Sequence, residues 1–116
     1  MLLNDKVVII SGIGPGLGIK LAVRAAEYQA RAVVLAARTP SKLDLAEQAI
    51  RDAGYDTPIL KVPTDIAQVE QCQTLADLTL EHFGQIDVLL NNAGMGESGS
   101  LAEVDMQRVR QIFEVN

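Results

Sequence analysis

The segment Ser11-Gly12-Ile13-Gly14-Pro15-Gly16-Leu17-Gly18 places five small residues in eight positions. It lies between the apolar run Val7-Val8-Ile9-Ile10 and an amphipathic stretch that begins near Ile19. Strand, glycine turn and helix in that order make an anion site. The first N–H groups of a helix have no partners within it, and they stand at the positive end of its dipole. Glycines let the backbone close on a pyrophosphate without Cβ clashes. Pro15 removes one N–H from this cradle and leaves Gly16, Leu17 and Gly18 as donors.

The register of the glycines narrows the chemistry. No Gly-Lys-Ser/Thr closes the loop, so it is not a Walker loop, and Leu17 and Ile19 break the Gly-x-Gly-x-x-Gly register from Gly12 and from Gly14. Two spacings survive. Gly12, Gly14 and Gly16 give the Gly-x-Gly-x-Gly of many methyltransferases that bind S-adenosylmethionine. Gly12, Gly16 and Gly18 give the Gly-x-x-x-Gly-x-Gly of short-chain dehydrogenase/reductases. A methyltransferase needs acidic residues before Gly12 and after the second apolar run, where this chain has Ile10 and Ala37.

The end of that second run, Ala36-Ala37-Arg38-Thr39, bears on the ligand. An acidic residue there would accept hydrogen bonds from ribose hydroxyls. Arg38 cannot accept, but its fork suits a phosphate dianion, and Thr39, Ser41 and Lys42 are nearby donors. The position therefore favours NADP over NAD. A second cluster, Asn91-Asn92-Ala93-Gly94, follows the apolar run Ile86–Leu90. By itself it reads as a polar strand exit with a glycine turn. Together with the upstream loop it is more than a turn: Ala93 and Gly94 let a ribose or nicotinamide lie against backbone, and the Asn side chains tie neighbouring loops together.

The elements that must position these residues follow from hydrophobic periodicity. Strands are expected at 6–11, 32–37, 58–62 and 86–90, and the apolar residues of the first two run together, which implies burial in the sheet. Helices are expected from Pro15 to Gln29, from Thr39-Pro40 to Gly54, from Asp65 to Phe83, and from Glu103 to Asn116. The first should turn Leu17, Leu21, Val23, Ala25 and Ala26 inward. The second carries Leu43, Leu45, Ala46, Ala49 and Ile50, and the last Val109, Ile112 and Phe113 on one face. Asp65-Ile66-Ala67-Gln68 has capping-box spacing with Asp in place of Ser or Thr. Strict alternation implies an α/β fold: a Rossmann-type doubly wound parallel sheet, here its first half, with strand order 3-2-1-4. Ligands bind such sheets beyond the carboxyl ends of the strands at the switch point, between the first and fourth strands, where both polar loops emerge.

The whole chain resembles the N-terminal part of a short-chain dehydrogenase/reductase, from Ser11-Gly12-x-x-x-Gly16-x-Gly18 through Asp65 and Asn91-Asn92-Ala93-Gly94 to Val115-Asn116. Ser11 departs mildly from the usual Thr, and Pro15 is a second departure. The resemblance implies that Ser11, Gly12, Gly14, Gly16, Leu17 and Gly18 hold the cofactor pyrophosphate. It implies that Arg38 and Thr39 meet the 2′-phosphate, that Asp65 and Ile66 meet adenine, and that Asn92, Ala93 and Gly94 flank ribose and nicotinamide. Asn116 would be a catalytic residue, helping to hold a water and the catalytic lysine. In the family a tyrosine of Tyr-x-x-x-Lys donates the proton to the carbonyl as nicotinamide delivers hydride. Tyr28 and Tyr55 are followed four residues later by Ala32 and Ile59, so neither opens that motif. The expected activity is hydride transfer between NADP(H) and a small carbonyl or alcohol, with these residues as the cofactor-binding portion, inactive alone. The alternative is a non-enzymatic dinucleotide-binding or sensing module. Related enzymes pair through the helix carrying Val109, Ile112 and Phe113, which implies a homo-dimer or homo-tetramer for the intact protein.

Bulk properties agree with this reading. At 116 residues, with 48% hydrophobic and 22% charged residues, the chain is one domain, 1–116, with a modest core. A fourth strand as apolar as Ile86–Leu90 expects a neighbour on each side, so the domain is expected to be incomplete at its C-terminus. A net charge of -5 argues against nucleic acid or an anionic membrane as partner. Cys72 is the single cysteine, which suits a reduced, cytoplasmic setting. The single histidine, His82, and Cys72 lack partners at metal-ligand spacing, so no metal is expected.

Overall fold

The computed structural model describes residues 3–13 and 16–92, together with the backbone of Glu114 and Val115. The elements run β1 (Val7–Ser11), α1 (Leu17–Glu27), β2 (Ala32–Ala37), α2 (Pro40–Asp52), β3 (Ile59–Pro63), α3 (Val69–Phe83), β4 (Val88–Asn91) and β5 (Glu114–Val115). They form a five-stranded sheet in the order β3-β2-β1-β4-β5. Every strand pair is parallel, with Val7 beside Ala32, Val8 beside Val88 and Val33 beside Ile59. The order reverses between β1 and β4, which makes their carboxyl ends the switch point.

Burial explains why the apolar runs become strands. Every residue of β1 and β2 is buried, and alternate side chains of each strand serve opposite faces. Val8, Ile10, Val33 and Leu35 pack with Ala22, Ala25 and Ala26 of α1 and with Leu43, Ala46 and Ile50 of α2. Val7, Ile9, Ala32, Val34 and Ala36 pack with Cys72, Leu75 and Ala76 of α3. Small residues on α1 let it lie close to the sheet, which brings its first turn near the end of β1.

Helix ends depart from the periodicity for identifiable reasons. α1 stops at Glu27, before the expected Gln29, because Gln29 is left-handed at φ 65. Its N–H reaches the Ala26 carbonyl at 3.0 Å, and the Ala30 N–H reaches Ala25 at 3.1 Å. These are the two bonds of a Schellman end, with Gln where Gly is usual. Gly54, at φ 94, closes α2 the same way through Gly54 N–H to Arg51 and Tyr55 N–H to Ile50. Leu17 and Leu45, expected among the inward apolar residues, are 60% and 57% exposed. Leu17 opens α1 on the crevice side of the sheet, and Leu45 falls on the outer face of α2 between the buried Leu43 and Ala46.

The outer edge of β4 has the neighbour that its apolar sequence expects, although not in the form of the expected helix. Leu89 pairs with Glu114 and Leu90 with Val115, so that edge has a strand on it, and the backbone at 114–115 is extended rather than helical. The expected helical residues Val109, Ile112 and Phe113 lie outside the described residues. The opposite edge is β3, where Lys61 bonds Asp44 at 2.9 Å and Glu47 at 2.8 Å on α2. Its hydrogen bonds to Glu47 and Asp44 raise its pKa above the usual lysine value. Among the described residues no strand lies beyond β3, and a charged residue and Pro63 on such an edge both discourage pairing with another chain.

Candidate dinucleotide site

The crevice is assembled by polar contacts at the carboxyl ends of β1 and β4 that join residues 80 positions apart. At the carboxyl end, the Ser11 hydroxyl donates to Asn91 Oδ1 at 3.0 Å, and both side chains are buried. One residue further, Asn92 Nδ2 donates to the Gly12 carbonyl at 3.2 Å. Ser11 and Asn91 therefore lock the two strand ends, and Asn92 fixes the loop that leaves β1. Gly12 is left-handed at φ 71, and the Ile13 N–H turns back to the Ala36 carbonyl of β2 at 3.4 Å.

Gly18 shows how closely the helix approaches this loop. A Cβ added there would lie 2.8 Å from the Gly12 oxygen, 3.0 Å from the Ile13 Cα and 3.2 Å from Asn92 Nδ2. Only glycine fits. Gly16 has a different reason: it meets nothing within 4 Å but stands at φ 112, where it is the N-cap of α1. Without a side chain it leaves the first N–H groups of α1 uncapped, and no acidic residue occupies the first turn. An anion is the natural complement of such an end.

Two further segments emerge on the same side. Arg38 and Thr39 follow β2 and are exposed. Thr39 is the N-cap of α2, yet its side chain makes no capping bond, and α2 too has no acidic residue in its first turn. Arg38 forms no hydrogen bond or ion pair among the described residues. Beyond β3, the Thr64 N–H donates to the Ala37 carbonyl at 2.8 Å and brings Asp65 alongside the end of β2. Asp65 does not cap α3 as its spacing predicts. Its Oδ1 accepts from the Ala67 N–H at 3.0 Å and its carbonyl from the Gln68 N–H at 3.0 Å, which forms a turn before the helix. Gln68 is the N-cap of α3, and Gln71 Oε1 accepts from the Asp65 N–H at 2.7 Å. Ile66 is buried, and the Cys72 thiol beneath it donates to the Ile66 carbonyl at 3.4 Å. Burial, and behind it the charge of Asp65, push the Cys72 thiol above its ordinary pKa.

The structure thus brings Ser11, Gly12, Gly16, Leu17, Gly18, Arg38, Thr39, Asp65, Ile66 and Asn92 to the carboxyl end of one sheet. Gly14, Ala93, Gly94 and Asn116 lie outside the described residues, so their expected roles stay with the sequence. Two contributors were missed by sequence reading. Gln71 stands at the third position of α3, the place from which a capping-box Gln reaches back, and that position was its available signal. Asp87 is buried at the opposite end of the sheet, where its Oδ2 accepts from the Val7 N–H at 2.8 Å and from Gln85 Nε2 at 2.6 Å. No local pattern marks it, since its partner strand is far away in sequence. Among the described residues no helix is long and apolar enough to cross a membrane. Among them, too, no group of three or more His, Cys, Asp or Glu could hold a metal ion.

A doubly wound sheet with a glycine-lined helix start and paired asparagines at its switch point defines a nucleotide-binding class of protein. The family profile described as short chain dehydrogenase matches residues 6–116, and the chain belongs to that family. It is 33% identical over 114 residues to an uncharacterized oxidoreductase of Methylorubrum extorquens, covering 98% of this chain and 45% of that protein. It is 37% identical over 112 residues to 11-beta-hydroxysteroid dehydrogenase A of Sesamum indicum, covering 96% of this chain and 32% of that one. Levodione reductase superposes with a TM-score of 0.74 at 34% identity, over 79% of this chain and 35% of its own. NAD+-bound xylitol dehydrogenase superposes at 0.83 with 21% identity, over 98% of this chain and 54% of its own, a likeness of fold alone. The chain spans between about a third and just under half of the length of the curated relatives it matches.

Proposed function

We propose that the chain forms the cofactor-binding portion of an oxidoreductase that transfers hydride between NADP(H) and a small carbonyl or alcohol substrate. The single observation that carries the choice of cofactor is Arg38. It stands exposed at the carboxyl end of β2, with no partner among the described residues and no carboxylate at the neighbouring Ala36, Ala37 or Thr39. A guanidinium so placed offers a fork to a 2′-phosphate, whereas an NAD-selective site wants an acceptor for the ribose hydroxyls.

The residues present fit the cofactor. The uncapped starts of α1 and α2, both without acidic side chains, face one crevice and suit a pyrophosphate and a 2′-phosphate respectively. By contrast, α3 carries Glu70 in its first turn, which suits no anion. Asp65 offers an acceptor to the adenine amino group beside the buried Ile66. Asn92 holds the Gly12 carbonyl, which ties the start of the glycine loop to the end of β4 before any ligand contact is made. Bound NADPH would supply the hydride; the chain's own residues bind and orient it. Asn116 would help to organise the proton-donating tyrosine and its lysine in the whole protein. That protein is taken to be a homo-dimer or homo-tetramer, and the single cysteine, Cys72, which has no second cysteine in the chain to pair with, suits a cytoplasmic setting.

The test is a titration of the whole protein with NADPH, NADH and S-adenosylmethionine, followed by an assay of NADPH oxidation with a panel of small ketones and aldehydes. Tight binding of NADPH with turnover supports the reading. Binding without turnover on any carbonyl would favour a sensing module instead. Preference for NADH would overturn the role of Arg38.

A further inference from the structure

Asp65 is held more firmly than an exposed turn needs. Its N–H donates to Gln71 Oε1 at 2.7 Å, its carbonyl accepts from the Gln68 N–H, and its Oδ1 accepts from the Ala67 N–H. The second carboxylate oxygen has no partner among the described residues. Neighbouring contacts extend the hold: Thr64 N–H bonds the Ala37 carbonyl of β2, and the Ile66 carbonyl receives the Cys72 thiol. Gln71 is the unexpected member. From the third position of a helix, a Gln side chain ordinarily returns to the N–H of the N-cap, which here is Gln68. It reaches past that residue to Asp65, three positions further back.

We infer that Gln71 is a positioning residue for recognition of the nucleobase. By holding the Asp65 backbone, it presents the free carboxylate oxygen to the exocyclic amino group of adenine beside the end of β2. This rests on the reading of Asp65 as the adenine-facing acceptor. The chemistry makes it specific: an adenine amino group donates to a carboxylate, whereas hypoxanthine carries a carbonyl there, and two acceptors repel. Loosening Asp65 therefore weakens the distinction between the two bases, not dinucleotide binding in general.

The experiment measures dissociation constants of NADPH and of its reduced hypoxanthine analogue for the whole protein, by reduced-nicotinamide fluorescence. Wild type should prefer the adenine form by roughly ten- to hundredfold, the worth of a hydrogen bond to a charged group plus the repulsion it replaces. Gln71→Leu should lower that ratio by about three- to tenfold, the worth of one neutral hydrogen bond, while the analogue's own affinity is unchanged. Gln71→Glu keeps an acceptor for the Asp65 N–H and should restore the ratio. Equal weakening of both dinucleotides in Gln71→Leu would mean a merely structural role and overturn the inference. So would an unchanged ratio, or a ratio lost in Gln71→Glu as well. If wild type itself does not discriminate, or Asp65→Asn leaves a wild-type preference intact, the reading of Asp65 fails, and this separates the two claims.

Discussion

Asn92 Nδ2 donates to the Gly12 carbonyl at 3.2 Å, and that same carbonyl is the atom a Cβ on Gly18 would strike at 2.8 Å. One oxygen thus sets both the attachment of the β4 loop and the closest approach of α1.

Gly18→Ala should therefore damage fold and site together. The clashing atoms are backbone, so relief requires the Gly12 loop or α1 to move. Overpacking of this kind costs about 1–3 kcal/mol, or a fall in Tm of roughly 2–4 °C per kcal/mol in a whole protein of the relatives' length. Thermal unfolding with and without NADPH would check it: the cofactor-induced rise in Tm should shrink as well. A variant with wild-type stability and wild-type rise would mean that the packing at Gly18 is looser than the structure has it.

Arg38→Ala bears on cofactor choice alone. Arg38 is exposed and makes no described contact, so stability should stay within about 0.5 kcal/mol of wild type. NADPH affinity should fall by roughly ten- to hundredfold, equivalent to a charge-assisted bond of about 1.5–3 kcal/mol, with NADH little changed. Equal losses for both dinucleotides would refute the phosphate contact.

The Cys72 thiol gives a pH signature. Burial raises its pKa above 9.0 in the folded protein, and the unfolded chain ionises at the ordinary value. The folded state therefore holds its proton where the unfolded state releases it. That contribution is complete below about pH 9 and is lost as the pH rises through the folded value. Denaturant titrations of wild type and Cys72→Ala should differ by a constant amount up to about pH 9 and converge above it. Parallel curves to pH 10.5 would contradict this.

Asp87 tests the far end of the sheet. Asp87→Ala leaves the fully buried Val7 N–H without its partner, at a cost of about 1–3 kcal/mol. Asp87→Asn should recover most of that, because its amide oxygen can occupy the place of Oδ2 and accept from both Val7 and Gln85. Chemical denaturation of the two variants side by side decides it.

Where burial is continuous, the sequence was easily read. The runs Val7–Ile10 and Ala32–Ala37 became central strands because both faces of the sheet needed apolar cover, and that demand is written residue by residue. The meeting of the glycine loop with Asn91 and Asn92 followed from topology, since parallel strands return to the same end. What escaped depends on partners distant in sequence or on backbone exceptions. Gln29 takes a left-handed conformation usually left to glycine, Asp65 caps a turn in place of a helix, and Asp87 answers an N–H that no nearby residue announces. Leu17 and Leu45 look like core residues by type and are not, because a helical stripe is narrower than its apolar composition suggests.

The contacts of β1 with β4 carry a temporal consequence. Val7 to Asp87, Ser11 to Asn91 and Gly12 to Asn92 all span 80 residues, so the centre of the sheet has one flank missing until its last neighbour exists. During synthesis at about 5–20 residues per second, the glycine turn waits roughly 4–16 seconds for the asparagines that shape it. Over that interval the nascent first strand exposes a sticky apolar flank. The ligand cleft is thus acquired only once β4 has been made, and not with the glycine turn itself.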